Sequence, residues 1–146
     1  MEAVILVGVQ GAGKSTFYRE KFFDTHVRIN LDMLKTRRRE ELLVAACLEA
    51  GQSFVVDNTN AHATDRAKYV QAAHAKGFRA VAYFFDVPLG DAIERNNQRK
   101  LKQKIPAVAV AATHKKLERP GKNEGFHQIF RVLVNNDGGF TVEEDA

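Results

Sequence analysis

The chain has 146 residues, 45% hydrophobic and 27% charged, the composition of one ordinary globular domain and not of a disordered chain. A single cysteine, Cys47, excludes an internal disulfide and suits a reducing compartment, so a cytoplasmic protein is expected, with Cys47 a small core residue of the apolar stretch "LLVAACLEA". The net charge of +4 is unevenly spread, no apolar run approaches the roughly 18 residues of a membrane span, and no signal peptide is expected.

The first element is the apolar run Ala3 to Val7, whose β-branched residues read as a buried parallel strand. It leads into "GVQGAGKST", Gly8 to Thr16, which fits G-x-x-x-x-G-K-[ST], and then into a helical stretch, "KSTFYREKFF". Gly8, Gly11 and Gly13 permit a tight turn, so that the loop Gly8, Val9, Gln10, Gly11, Ala12, Gly13, Lys14, Ser15 and Thr16 can aim backbone N–H groups at one anion. Lys14 should reach the β- and γ-phosphates of ATP or another nucleoside triphosphate, and the Ser15 hydroxyl should sit on Mg²⁺.

A second strand is expected over His26 to Asn30, then one helix from Leu31 to Gly51, and a third strand, "SFVVDNTN", ending in polar residues. A helix over Ala63 to Gly77, a long apolar strand over Phe78 to Val87 and a helix from Pro88 to Lys104 follow. Pro106 opens another helix, to Glu118, and His127 to Asn135 is the fifth strand. This alternation argues for a parallel sheet covered by helices on both faces. Residues 1–134 form the expected domain. The acidic tail from Thr141 looks dispensable, unless "NNDGGFTV" turns residues 135–146 back as a short hairpin.

Ligands of such sheets bind at the carboxyl ends of the strands. Strand two brings Asn30 and Asp32 there, strand three Asp57, Asn58, Thr59 and Asn60, and strand four Asp86. Asp32 is placed to take a hydroxyl proton during phosphoryl transfer, or else to cap the following helix. Asp57 is either the second acid that organises Mg²⁺ or part of an Asx turn. Further on, "RNNQRKLKQK" carries five cations and no acid. Arg95 and Arg99, four apart, can share one helix face and clamp phosphoryl oxygens, while Lys100, Lys102 and Lys104 face solvent or a polyanion. Tyr18, Phe22 and Phe23 read as core, and the five histidines show no metal-ligand spacing.

The loop "GVQGAGKST", the strand end "INLD", "VVDNTN" followed by Arg66, "YFFDVPLGDAIERNNQR" and "KIPAVAVAATHKKLERPGKNEGF" resemble the 5′-kinase module of polynucleotide kinases, from about Glu2 to Val134. The resemblance implies a three-layer α/β P-loop NTPase fold, with a five-stranded, mainly parallel sheet of order 2-3-1-4-5 and a small helical lid. It implies Asp32 as general base on a polynucleotide 5′-hydroxyl, with Lys14 and Ser15 on the donor phosphates and Mg²⁺. Arg95 and Arg99 become lid arginines, and Asn58, Thr59 and Asn60 lie near the acceptor. Lys35 stands where the family's phage enzyme has an arginine contacting the acceptor's 3′-side phosphate; it keeps the charge and loses the bidentate fork. Arg37, Arg38 and Arg39 are alternatives for that contact.

The implied partners are 5′-hydroxyl ends of DNA or RNA, with phosphatase or ligase functions as separate partners. A small-molecule kinase and a non-catalytic ATP-binding subunit are the other readings. The base and the arginines argue against a pure binder, and the clustered cations favour a polyanionic acceptor.

Overall fold

A computed structural model describes residues 1–99 and 104–145. Its centre is β1 (Glu2–Val7), flanked on one side by β3 (Phe54–Val56) and β2 (Val27–Ile29). On the other side lie β4 (Arg79–Phe85), β5 (Gln128–Val134) and β6 (Phe140–Glu144), giving the order β2-β3-β1-β4-β5-β6. The first five strands pair in parallel, in the expected order. To them is added β6, antiparallel to β5, with Val132 opposite Val142.

Side chains alternate across β1, and both faces are covered. Val4 and Leu6 pack with Phe17, Tyr18, Phe22, Tyr83 and Phe85 on one face; Ala3, Ile5 and Val7 pack with Ile29, Val44, Leu48, Phe54 and Tyr69 on the other. The helices that cover the sheet are α1 (Lys14–Lys21), α2 (Leu31–Leu34), α3 (Arg37–Ala50), α4 (Ala63–Ala75), α5 (Leu89–Asn97) and α6 (Ala107–Lys116). Among the described residues no helix is long and apolar enough to cross a membrane.

Two departures from the sequence expectation bear on the site, as does the hairpin alternative for the tail. The single helix expected over Leu31–Gly51 is two, because Lys35 takes φ +75° and Thr36 caps a new helix by accepting from the Arg39 N–H. The helix expected to run to Lys104 stops at Asn97, and Asn96 instead exchanges two amide hydrogen bonds with the backbone of Ile105. Lys100 and Lys102 lie outside the described residues, and Lys104 is exposed. The tail is part of the sheet: Phe140 of β6 packs edge-on against Phe17 at 5.2 Å, beside the loop that precedes α1.

One buried cation fastens the segment after β3. Arg66 on α4 is fully buried. Its Nε and Nη2 donate to both oxygens of Glu124, and its Nη1 donates to the carbonyls of Asn60 and Glu118. Burial raises the Glu124 pKa, but the hydrogen bonds from Arg66 and the Gly121 N–H outweigh it and hold the carboxyl below its ordinary value. Glu124→Ala would leave a guanidinium buried without its partner. It should cost about 3–5 kcal/mol of unfolding free energy, read by urea denaturation at neutral pH. Because the folded pKa is depressed, the wild-type contribution should disappear as pH falls from the unfolded value of about 4.5 through the lower folded one.

Candidate active site

A cleft of about 1500 Å³ opens at the carboxyl ends of β1, β2 and β3. One wall is the loop between β1 and α1. Gly11 (φ +80°) has no room for a Cβ, which would run into the Ala92 carbonyl and the Asn96 amide of α5. At Gly13 (φ +102°) a Cβ would meet the Arg95 guanidinium at 2.5 Å and the Phe140 ring at 3.2 Å. The loop is therefore wedged between α5 and β6, with Arg95 lying over it.

The Gly8 N–H is bound to the Thr59 carbonyl and the Ala12 N–H to Val9. Among the described residues no backbone acceptor engages the N–H groups of Gly11, Gly13, Lys14, Ser15 and Thr16. With no acidic residue in the first turn of α1, these donors and the helix dipole form a ready anion site. Gln10 lines the cleft, and its Oε1 is buried without a partner.

Lys14 Nζ donates to the carbonyls of Gly8 and Val9 at 2.7 and 2.8 Å. Burial pulls its pKa down to about 8; Asp57 opposes that shift, Arg99 adds to it and Asp32 opposes it. The fields of Asp32, Asp57 and Arg99 thus all reach one ammonium, although these residues come from three separate elements.

Behind the lysine sits a charge cluster. Ser15 Oγ donates to Asp57 Oδ2 at 2.9 Å, and Arg28 of β2 donates to the same oxygen from Nε at 2.9 Å and to Ser15 Oγ from Nη2 at 3.0 Å. Asp57 is only 2% exposed and Arg28 29%. A hydroxyl and a carboxylate held this close are hard oxygen donors of the kind Mg²⁺ takes alongside nucleotide phosphates, so the residues fit the ion.

Asp32 and Lys35 are exposed and line the cleft, as do Arg95 and Arg99. The helix cap belongs to Asn30, whose Oδ1 accepts from the Met33 N–H; Asp32 occupies the first turn of α2. Arg99 lies just past the end of α5, its N–H on the Asn96 carbonyl. Asp86 is not part of this cleft: it pairs with Arg131 at 2.7 Å and lines a separate cavity of about 510 Å³, because β5 delivers a guanidinium to the end of β4.

The polar run after β3 lines the cleft, yet much of its hydrogen bonding is spent on scaffold. Asn58 accepts from the Leu31 N–H and donates to Glu40, while Asn60 donates to the Leu6 carbonyl; Thr59 holds Gly8 through its own carbonyl. Glu40, almost fully buried in α3, also accepts from Tyr69 and Arg37. Burial pushes its pKa up, and the bonds from Tyr69, Asn58 and Arg37 bring it below the usual value.

Several residues in or behind the cleft wall carry little sequence signal of their place there. Arg28 could have been suspected as a cation flanking Ile29 on a strand that enters the rim. Glu40, inside "RRREELL", carries no sequence sign of burial. Phe23, expected in the core, is 67% exposed and lines the cleft with Met33, Lys68 and Lys116, whereas Tyr18 and Phe22 are buried.

Residues 4–120 match the AAA domain family. The chain belongs to that family. Its architecture is the P-loop kinase fold. The chain is similar to the Schizosaccharomyces pombe bifunctional polynucleotide phosphatase/kinase, at 24% identity over 144 residues, 90% of this chain and 33% of the relative. A protein of Acanthamoeba polyphaga mimivirus, provisionally given the same name, is 28% identical over 143 residues, 93% of this chain and 34% of the relative. The chain therefore spans about a third of the curated relatives it matches. A gluconokinase from Sinorhizobium meliloti 1021 superposes with a TM-score of 0.62 at 20% identity, over 92% of this chain and 83% of that one.

The lysine supplies a pH test. Phosphates bound against Lys14 would keep its proton in place, so affinity for a non-hydrolysable ATP analogue should fall as pH rises above about 8, approaching tenfold per unit, and Lys14→Met should lack that limb in calorimetric titrations. In the free protein stability should rise between about pH 8 and 10.5, because there the unfolded chain keeps a proton that native Lys14 has lost.

Proposed function

We propose that the chain is an ATP-dependent kinase acting on the 5′-hydroxyl of a nucleic-acid end. The observation that carries this reading is one cleft of about 1500 Å³ lined together by the phosphate loop, Asp32, Lys35, Arg37, Lys68 and Lys116. A small-molecule site usually occupies about 300–1000 Å³, so the cleft is large enough for a nucleoside triphosphate and part of an acceptor. The named relatives support the same reading.

Each residue then has a task. The loop amides and Lys14 hold the β- and γ-phosphates, and Ser15 with Asp57 would hold Mg²⁺, which spreads the phosphate charge when bound. Arg95 rests over the loop, and Arg99 supplies positive charge where negative charge develops on the transferring group. Asp32, exposed in the cleft and spared from capping, accepts the proton of the attacking hydroxyl. The Lys35 ammonium meets the first backbone phosphate on the acceptor's 3′ side. Glu40, Asn58 and Asn60 position the rim that carries these groups.

A small-molecule kinase is the second reading, and the similarity to a gluconokinase favours it. The cations lining the cleft argue for the polyanion, because phosphate contacts supply most nucleic-acid affinity, and of these Arg37 and Lys68 also pair with Glu40.

Asp32→Asn should lower single-turnover transfer by about 10²–10⁴-fold while leaving affinity for the ATP analogue unchanged; retained turnover per folded molecule would remove Asp32 from the chemistry. For the acceptor, each single-strand phosphate contact adds roughly −0.7 to the slope of log affinity against log salt. Lys35→Ala should flatten that slope by about 0.7 and raise the oligonucleotide KM without altering the KM for ATP. An acceptor KM indifferent to salt would contradict the polynucleotide reading.

A further inference from the structure

We propose that Arg28 is a resident cation that competes with the nucleotide's divalent metal for Ser15, and so sets how much metal the site requires. This rests on the nucleotide-binding reading of the cleft but not on the identity of the acceptor.

Arg28 is the middle residue of edge strand β2, opposite Val55 of β3. Its Nε lies 2.9 Å from Asp57 Oδ2 and its Nη2 lies 3.0 Å from Ser15 Oγ, while that hydroxyl donates its one proton to the same Oδ2. The guanidinium therefore touches both groups that would organise the metal.

A serine hydroxyl has one proton and two lone pairs. The proton is committed to Asp57, and one lone pair already faces Arg28. A Mg²⁺ on the hydroxyl, at about 2.1 Å, would stand no more than about 5 Å from a guanidinium still in contact with Ser15. Arginine cannot relieve that repulsion by losing a proton. It can only withdraw, and its side chain, 29% exposed, has a path toward the cleft. Asp57 stays in place, held by the Ile29 carbonyl on its N–H and by the Asn30 amide on its own carbonyl.

Two opposite effects follow. Without metal, Arg28 supplies positive charge beside the phosphates and assists nucleotide binding. With metal, the same charge opposes it.

The test titrates the full chain with the non-hydrolysable analogue AMPPNP by calorimetry, over a series of Mg²⁺ concentrations that includes none. Arg28→Gln should lower the Mg²⁺ midpoint by at least about tenfold, the size of the repulsion between single and double charges about 5 Å apart even under water-like screening. The same variant should bind metal-free AMPPNP more weakly. Arg28→Lys keeps the charge and should stay near the wild-type midpoint.

A purely structural tie predicts lower melting temperatures with an unchanged midpoint, and that result would overturn the proposal. Should Arg28→Gln fail to fold, the ¹⁵Nε–H resonance of Arg28 decides in the wild type. It should be protected from exchange with AMPPNP alone and lose protection when Mg²⁺ is added; protection that persists would overturn the proposal. If wild type bound no AMPPNP at any Mg²⁺ concentration, the nucleotide reading itself would fall.

Discussion

A carboxylate that is 2% exposed has to be paired, since an ionised group taken from water without partners is among the most costly features a fold can contain. Asp57 meets that constraint by drawing three elements together: the hydroxyl of Ser15 from α1, the guanidinium of Arg28 from β2, and its own strand end on β3. The neighbouring hydrogen bonds repeat the pattern. Asn30 donates to the Asp57 carbonyl, Asn58 accepts from the Leu31 N–H that starts α2, and the Thr59 carbonyl takes the Gly8 N–H. The ends of β1, β2 and β3 are locked in one arrangement, and the phosphate loop inherits its shape from them.

Outward from that knot, buried polar groups support the rim in two further layers. Glu40 fixes Asn58 and Tyr69, tying α3 and α4 to the end of β3. Arg66 then ties α4 to the segment around Glu118 and Glu124. Such networks are favourable only when every member is satisfied, which here means that the cleft wall and the stability of the fold rest on the same side chains. Asp32, Lys35 and Arg99 line the cleft in front of this wall, and in the proposed reaction the wall would hold the reacting groups in place.

The parallel strands and the phosphate loop were legible in the sequence, because apolar runs, glycine positions and Lys-Ser spacing are local signals, whereas the strand order came from the family resemblance. The break at Lys35 was not, because a non-glycine residue at φ +75° is imposed by the Thr36 cap and by packing, neither of which shows in periodicity. The run Asn58-Thr59-Asn60 shows the opposite limit. Composition marked it as polar and rim-facing, but only the folded contacts reveal that Asn58 and Asn60 hold backbone. Arg28 and Glu40 were missed for a common reason: a charge inside a three-residue strand or an apparently solvated helix gains its meaning from a partner far away in sequence.

The central claim is that one cleft aligns a nucleoside triphosphate with a nucleic-acid 5′-hydroxyl. The most direct measurement offers γ-labelled ATP to the protein together with equal concentrations of 5′-hydroxyl oligonucleotides, a 5′-hydroxyl dinucleotide bearing a 3′-side phosphate, free nucleosides and sugars. The account predicts label on the oligonucleotides and already on the dinucleotide, with nucleosides and sugars much poorer. Label carried chiefly by a nucleoside or a sugar would contradict it.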